Sequence, residues 1–142
     1  MNTTNIFDPT EVDADYFLDH ADEQKLFYEK ARALDPMIKS ILFGVDTPSL
    51  IESICKRFSL ADAQSALLSR LVRKILVAEV FIGNLIQELE SQLDIPESKA
   101  KELADALSSE LFAPAKEDLK ELHGKTFGAM QGNVINLRGK DN

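Results

Sequence analysis

One pattern, used twice at a spacing of 35 residues, constrains this chain more than any other: Phe58-Ser59-Leu60 returns as Leu93-Asp94-Ile95. Each apolar-polar-apolar turn leads into an amphipathic stretch, and the two stretches align position by position. Leu68 matches Leu103, Val72 matches Leu107, Leu76 matches Leu111, Val77 matches Phe112 and Ala78 matches Ala113. A shorter apolar-periodic segment precedes each turn. The predicted unit is therefore a helical hairpin, present in two copies.

The flanking punctuation extends this to an all-α domain of six or seven helices with the duplicated hairpin at its centre. Asp35-Pro36 and Thr47-Pro48 each place proline in a first helical turn, with Asp35 and the Thr47 hydroxyl as caps. Gly44 ends the short helix between them. The helix from Thr47 to about Arg57 buries Leu50, Ile51, Ile54 and Cys55. The long pattern from Ala61 to about Val77 has a stripe too broad for one face, so it packs on two sides. Residues 61–92 could form one continuous helix; a break between Ala78 and Val80 is preferred, although no Gly or Pro marks it, because the repeat predicts a new helix there. Ala113-Pro114 ends or kinks the next long helix, leaving a last turn or two for Leu119 and Leu122. No strand-length alternation occurs. The expected domain spans residues 22–123, between a flexible acidic segment 1–21 and a flexible tail 124–142.

Charge narrows the function classes. The chain has 142 residues and a formal net charge of −8. Residues 1–23 hold seven carboxylates and no Lys or Arg, whereas Lys125, Arg138 and Lys140 face only Asp141 in the tail. An acidic body repels phosphate backbones and argues against nucleic acid as a partner. The polar start is unlike a signal peptide, and the apolar stretch 75–86 is far too short to span a bilayer. A cytoplasmic protein is expected. The lone Cys55 lies in the apolar set Leu50, Ile51, Ile54, Phe58 and reads as a small buried hydrophobe.

Signatures of catalysis are not found. His20 and His123 stand near opposite ends of the domain and read as exposed polar residues. No metal-ligand spacing, phosphate loop, dinucleotide fingerprint or nucleophile elbow occurs. Neither catalytic residue, cofactor nor metal is assigned. Two features read instead as binding surfaces. Tyr16 and Phe17 lie among acidic residues, a composition suited to docking on a basic, partly apolar partner, and Val134, Ile135, Leu137 and Arg138 form an apolar run in the tail that fits a short linear motif. The alternative surface is basic: Arg70, Arg73 and Lys74 on the long helix, with Lys56 and Arg57 on the helix before it, arranged as a nucleic-acid reader would hold them.

Residues 41–120 resemble a class of small helical proteins of unknown function from candidate-phyla (Patescibacteria-type) bacteria. The likeness is carried by Leu42-Phe43-Gly44-Val45-Asp46-Thr47-Pro48, Phe58-Ser59-Leu60, Leu93-Asp94-Ile95-Pro96 and Glu110-Leu111-Phe112-Ala113-Pro114. Where that class is Arg-rich after the proline, this chain has Ala115-Lys116-Glu117-Asp118. The resemblance implies the helical fold and no particular activity. The expected function is a non-enzymatic adaptor or scaffold whose tails engage a protein partner, with a nucleic-acid-associated regulator as the alternative. Pairing between copies through the apolar surface of residues 67–93 is a further possibility.

Overall fold

A computed structural model describes residues 5–138, with side chains through residue 128. It is 75% helical, with eight α-helices and no strand among the described residues, so the chain is all-α. The helices are α1 (Ala14–Leu18), α2 (Ala21–Arg32), α3 (Pro36–Leu42), α4 (Thr47–Arg57), α5 (Asp62–Leu76), α6 (Leu85–Leu93), α7 (Glu97–Ala106) and α8 (Lys116–Arg138). A 3-10 turn, Ile82–Asn84, leads into α6, and α7 runs on into a π turn, Leu107–Leu111. A second 3-10 turn, Ala113–Ala115, precedes α8.

The repeat is real in three dimensions. Moving α5 along the chain by 35 positions lands on Glu97–Leu111, the span of α7 together with its π turn. Both turns share a backbone conformation, with Ser59 and Asp94 each at φ 56. Both close with the same hydrogen bond: Leu60 N–H donates to Cys55 O at 3.0 Å, and Ile95 N–H to Glu90 O at 3.3 Å. This is the Schellman termination, in which a left-handed residue lets the chain leave the helix while capping its last carbonyls. The matched pairs Leu68/Leu103, Val72/Leu107, Leu76/Leu111 and Val77/Phe112 are all buried. A side chain in the left-handed region costs roughly 1–2 kcal/mol, which glycine largely avoids. Ser59 is exposed, so Ser59→Gly loses no packing. It should stabilise the fold by about 0.5–1 kcal/mol in urea unfolding.

The hairpins pack reciprocally. Within each, α4 lies against α5 and α6 against α7; between them, α5 contacts α6 and α4 contacts the π turn. Gln64 joins the two turns directly: its Oε1 accepts from Ala61 N–H at 2.8 Å while its Nε2 donates to Leu93 O at 2.8 Å. The apolar side chains of residues 67–93 that looked available for pairing between copies are largely consumed here, with Leu68, Leu71, Val72, Ile75, Leu76, Leu85, Leu89 and Leu93 all in the core.

The break after α5 falls where the repeat places it. Ala78 turns left-handed at φ 61, and Glu79 N–H caps Lys74 O at 2.7 Å. Residues 61–92 are two helices.

Several local expectations need correction. Thr47 does not cap α4 through its oxygen; its buried hydroxyl donates backwards to Ile41 O at 2.6 Å, tying α4 to the end of α3. Asp35 stands at the cap position of α3 but makes no side-chain capping bond. Leu50 is 37% exposed, because the buried stripe of α4 centres on Ile51, Ile54 and Cys55. Gly44 is required for close approach: a Cβ there would collide with the carbonyl oxygen of Ser40. Backbone cannot yield as a side-chain tip can, so Gly44→Ala should cost about 1–3 kcal/mol, read as a lower urea midpoint. The last helix does not stop at Gly124 but continues to Arg138. At the other end, the acidic segment is anchored to the body, as described next.

Candidate functional site

Two places on the molecule gather side chains beyond the needs of the core. The first is the seam where the N-terminal segment crosses α5. Asp13 is 8% exposed and receives Arg70 through Nε at 2.9 Å and Nη2 at 2.7 Å, while Arg73 Nη1 approaches its Oδ2 at 2.7 Å. Ser69 Oγ donates to Ile6 O at 2.6 Å, which fixes the strand of chain leading into Asp13. Arg73 is enclosed further by two rings, lying 5.3 Å from the centroid of Phe17 and 5.7 Å from that of Phe27. Burial works to raise the Asp13 pKa, but the hydrogen bonds and charges of both arginines overcome it and hold the carboxyl below its ordinary value. The same contact raises the Arg70 pKa against the opposing effect of burial.

This seam changes the reading of both predicted surfaces at this end. Phe17 is buried against Phe27, their rings 6.0 Å apart, and so cannot be presented to a partner. Tyr16 is exposed at 45%; it stacks on His20 at 3.9 Å, and its hydroxyl donates to Glu23 Oε2 at 2.7 Å. The basic face is mostly neutralised by carboxylates. Arg70 and Arg73 meet Asp13, Arg57 reaches Glu110 at 2.7 Å, and Lys56 reaches Glu52 at 3.1 Å. Lys74 alone of the five makes no ion pair with a described residue.

The second place is a groove of about 860 Å³ between the Phe81–Gly83 corner, the π turn and α8. Its apolar lining is Phe81, Ile82, Phe112 and Leu119, and Lys116, Lys120 and Asp105 stand at its rim. The π turn forms one side of it. Phe112 N–H reaches back five residues to Leu107 O at 2.9 Å, so the backbone widens by one residue just before α8 begins. In the first hairpin the matching segment is regular α-helix to Leu76.

His123 holds this groove together and is buried at 1% exposure, not the exposed polar residue expected. Its Nδ1 accepts from Ile82 N–H at 3.1 Å, so in the neutral ring Nε2 carries the proton and donates to Ile75 O at 2.8 Å. The imidazole thus joins the end of α5, the start of the linker turn and α8. Burial pushes its pKa down, with the Ile75 hydrogen bond acting in the opposite sense. Phe81 and Phe127 pack beside it, with ring centroids 6.1 and 5.4 Å away. A Cβ at Gly83 would collide with the Phe81 ring, so the glycine leaves that ring its place at the mouth of the groove.

The remaining candidates divide simply. Cys55 is buried and its thiol pKa is raised by burial, as befits a core residue. Asp35, Asp118 and Glu121 bring three carboxylate oxygens within 4.8 Å of one another at the surface, an arrangement common without an ion. Val134, Ile135, Leu137 and Arg138 belong to α8, and their side chains lie outside the described residues. No helix among the described residues is long and apolar enough to cross a membrane. No protein-family model, curated protein or solved structure matches the chain.

Proposed function

We propose that the chain is a non-enzymatic protein-interaction module that receives an apolar helical segment of a partner in the groove beside the π turn. The observation that carries this reading is a groove of about 860 Å³ whose accessible apolar walls are the half-buried Phe81 and Ile82, over a floor formed by the buried Phe112 and Leu119. An amphipathic helix lays two or three apolar side chains into a groove of such dimensions. The rim selects its charge. Lys116 and Lys120 are exposed and make no ion pair with a described residue, while Asp105 is the single carboxylate among the lining residues. A partner helix flanked by Asp or Glu suits that excess, and the attraction acts mainly on partner choice and association rate.

The test is site-specific photo-cross-linking in nuclease-treated native lysate. A photoreactive residue at Ser109, on the groove, is compared with one at Glu52, on α4 away from it. Adducts to one protein from Ser109 alone, suppressed by Phe81→Asp in a chain that remains folded, are the expected result. Equal labelling from both positions, or labelling that disappears only with nuclease, would sink the reading.

A further inference from the structure

The cleft beside the N-terminal seam bears an independent reading. It encloses about 440 Å³ between α1, α2 and α5, with Tyr16, Phe17, Leu26 and Phe27 as its apolar wall. Its charged lining is four cations, Lys30, Arg70, Arg73 and Lys74, against three carboxylates, Asp13, Glu23 and Glu79, a surplus of one positive charge. Most of these charges are paired: Lys30 with Glu79 at 3.2 Å, and Asp13 with both arginines. With Asp13 set against Arg70, Arg73 and Lys74 are left as two cations against one carboxylate, Glu23, which accepts from the Tyr16 hydroxyl at 2.7 Å.

Arg73 is the telling residue. Its side chain is only 8% exposed, yet its hydrogen bonding to described residues runs through Nη1 alone, to Asp13 Oδ2 and to Pro9 O at the long distance of 3.4 Å. Nε and Nη2 reach no acceptor among the described residues. A guanidinium carries five N–H donors, and burying them unmatched is costly. The side chain lines an open cleft, so an acceptor entering that cleft would complete it. Asp13 already shows which acceptor this arginine pair takes.

We infer that the cleft is a binding site for a small apolar monocarboxylate, held by Arg73 and Lys74 with its hydrocarbon part against Tyr16 and Leu26, the exposed members of the wall. One negative charge balances the surplus, and the guanidinium fork matches a carboxylate in shape. A volume of about 440 Å³ accommodates a ligand of roughly ten non-hydrogen atoms. Neither the groove nor a protein partner enters this assignment.

Benzoate titrated into the full chain, followed by ligand-observed NMR at constant ionic strength, tests it. Benzyl alcohol serves as the neutral isostere and inorganic phosphate as the competing oxyanion. Saturable benzoate binding is expected, with Lys74→Ala weakening it about tenfold and Lys101→Ala leaving it unchanged. Lys74 makes no ion pair with a described residue and is half-buried, so its removal should not unfold the chain. Benzoate binding that fails to saturate, or that is matched by benzyl alcohol or unaffected by Lys74→Ala, would overturn the site. Phosphate binding more tightly than benzoate would overturn the carboxylate assignment.

Discussion

Asp13→Ala should cost about 3–5 kcal/mol of folding free energy, although the residue lies in a segment whose composition suggests a loose acidic arm. The loss comes chiefly from Arg73, whose charge would remain buried between Phe17 and Phe27 without a counter-ion. Arg70 contributes less, since its side chain is 34% exposed and water can take over much of its solvation. Urea unfolding of the wild type, Asp13→Ala, Arg73→Met and the double variant would measure the coupling. The double variant should be markedly more stable than Asp13→Ala alone, because removing both charges removes the uncompensated one. If Asp13→Ala unfolds like the wild type, the seam is a surface contact and the N-terminal segment is not structural. The pH dependence has a definite sign. The folded pKa of Asp13 is lowered, so its stabilisation is present above its unfolded value near 3.9 and is lost as pH falls through the folded value.

His123→Ala is expected to cost about 2–4 kcal/mol. It leaves Ile82 N–H without its acceptor and opens a void among Phe81, Phe127 and the end of α5. Ile75 O suffers less, since Ala78 N–H also reaches it at 3.0 Å. His123→Asn, whose side-chain oxygen can take the Ile82 hydrogen, should recover part of the loss. Equal destabilisation by Asn and Ala would mean that packing, not the hydrogen bond, is what the imidazole supplies. Acid acts here earlier than at Asp13. The folded pKa of His123 is depressed, so its stabilising contribution is complete above about pH 6.5 and declines as pH drops below that value. Protonation would set a ring N–H against the Ile82 N–H and loosen the corner from which Phe81 enters the groove. A wild-type urea midpoint that declines from pH 7 to pH 5, with a flatter profile in His123→Asn, is the expected signature.

The hairpins were legible in the sequence because helical periodicity and turn chemistry both repeat, and each is local. Even the unmarked break at Ala78 followed from the repeat, where composition alone would favour one long helix. What the sequence hid was long-range pairing. Asp13 and Arg70 are separated by 57 positions, and nothing local distinguishes Asp13 from its acidic neighbours. A signal did exist on the other side. Arg73 sits between Val72 and Leu76 and one turn after Ser69, on the stripe that faces the interior, and a charge there demands a partner. His123 gave a similar hint, four residues after the buried Leu119 on the same helical face. The groove was invisible because one side of it is the π turn at Leu107–Leu111, which helical periodicity does not reveal. The extent of α8 is not legible because Gly124 and Gly128 lower helix propensity; both stand in the helix with open space around them.

The reciprocal packing of the hairpins has a consequence for how tightly this molecule is held together. Each hairpin covers its apolar face with the other, so two separate hairpins would have to find one another by diffusion. The eight residues between Leu76 and Leu85 turn that encounter into an intramolecular event, at an effective concentration on the order of millimolar or above. Stability then becomes independent of how dilute the protein is, and cutting this connector should make it depend on concentration once more.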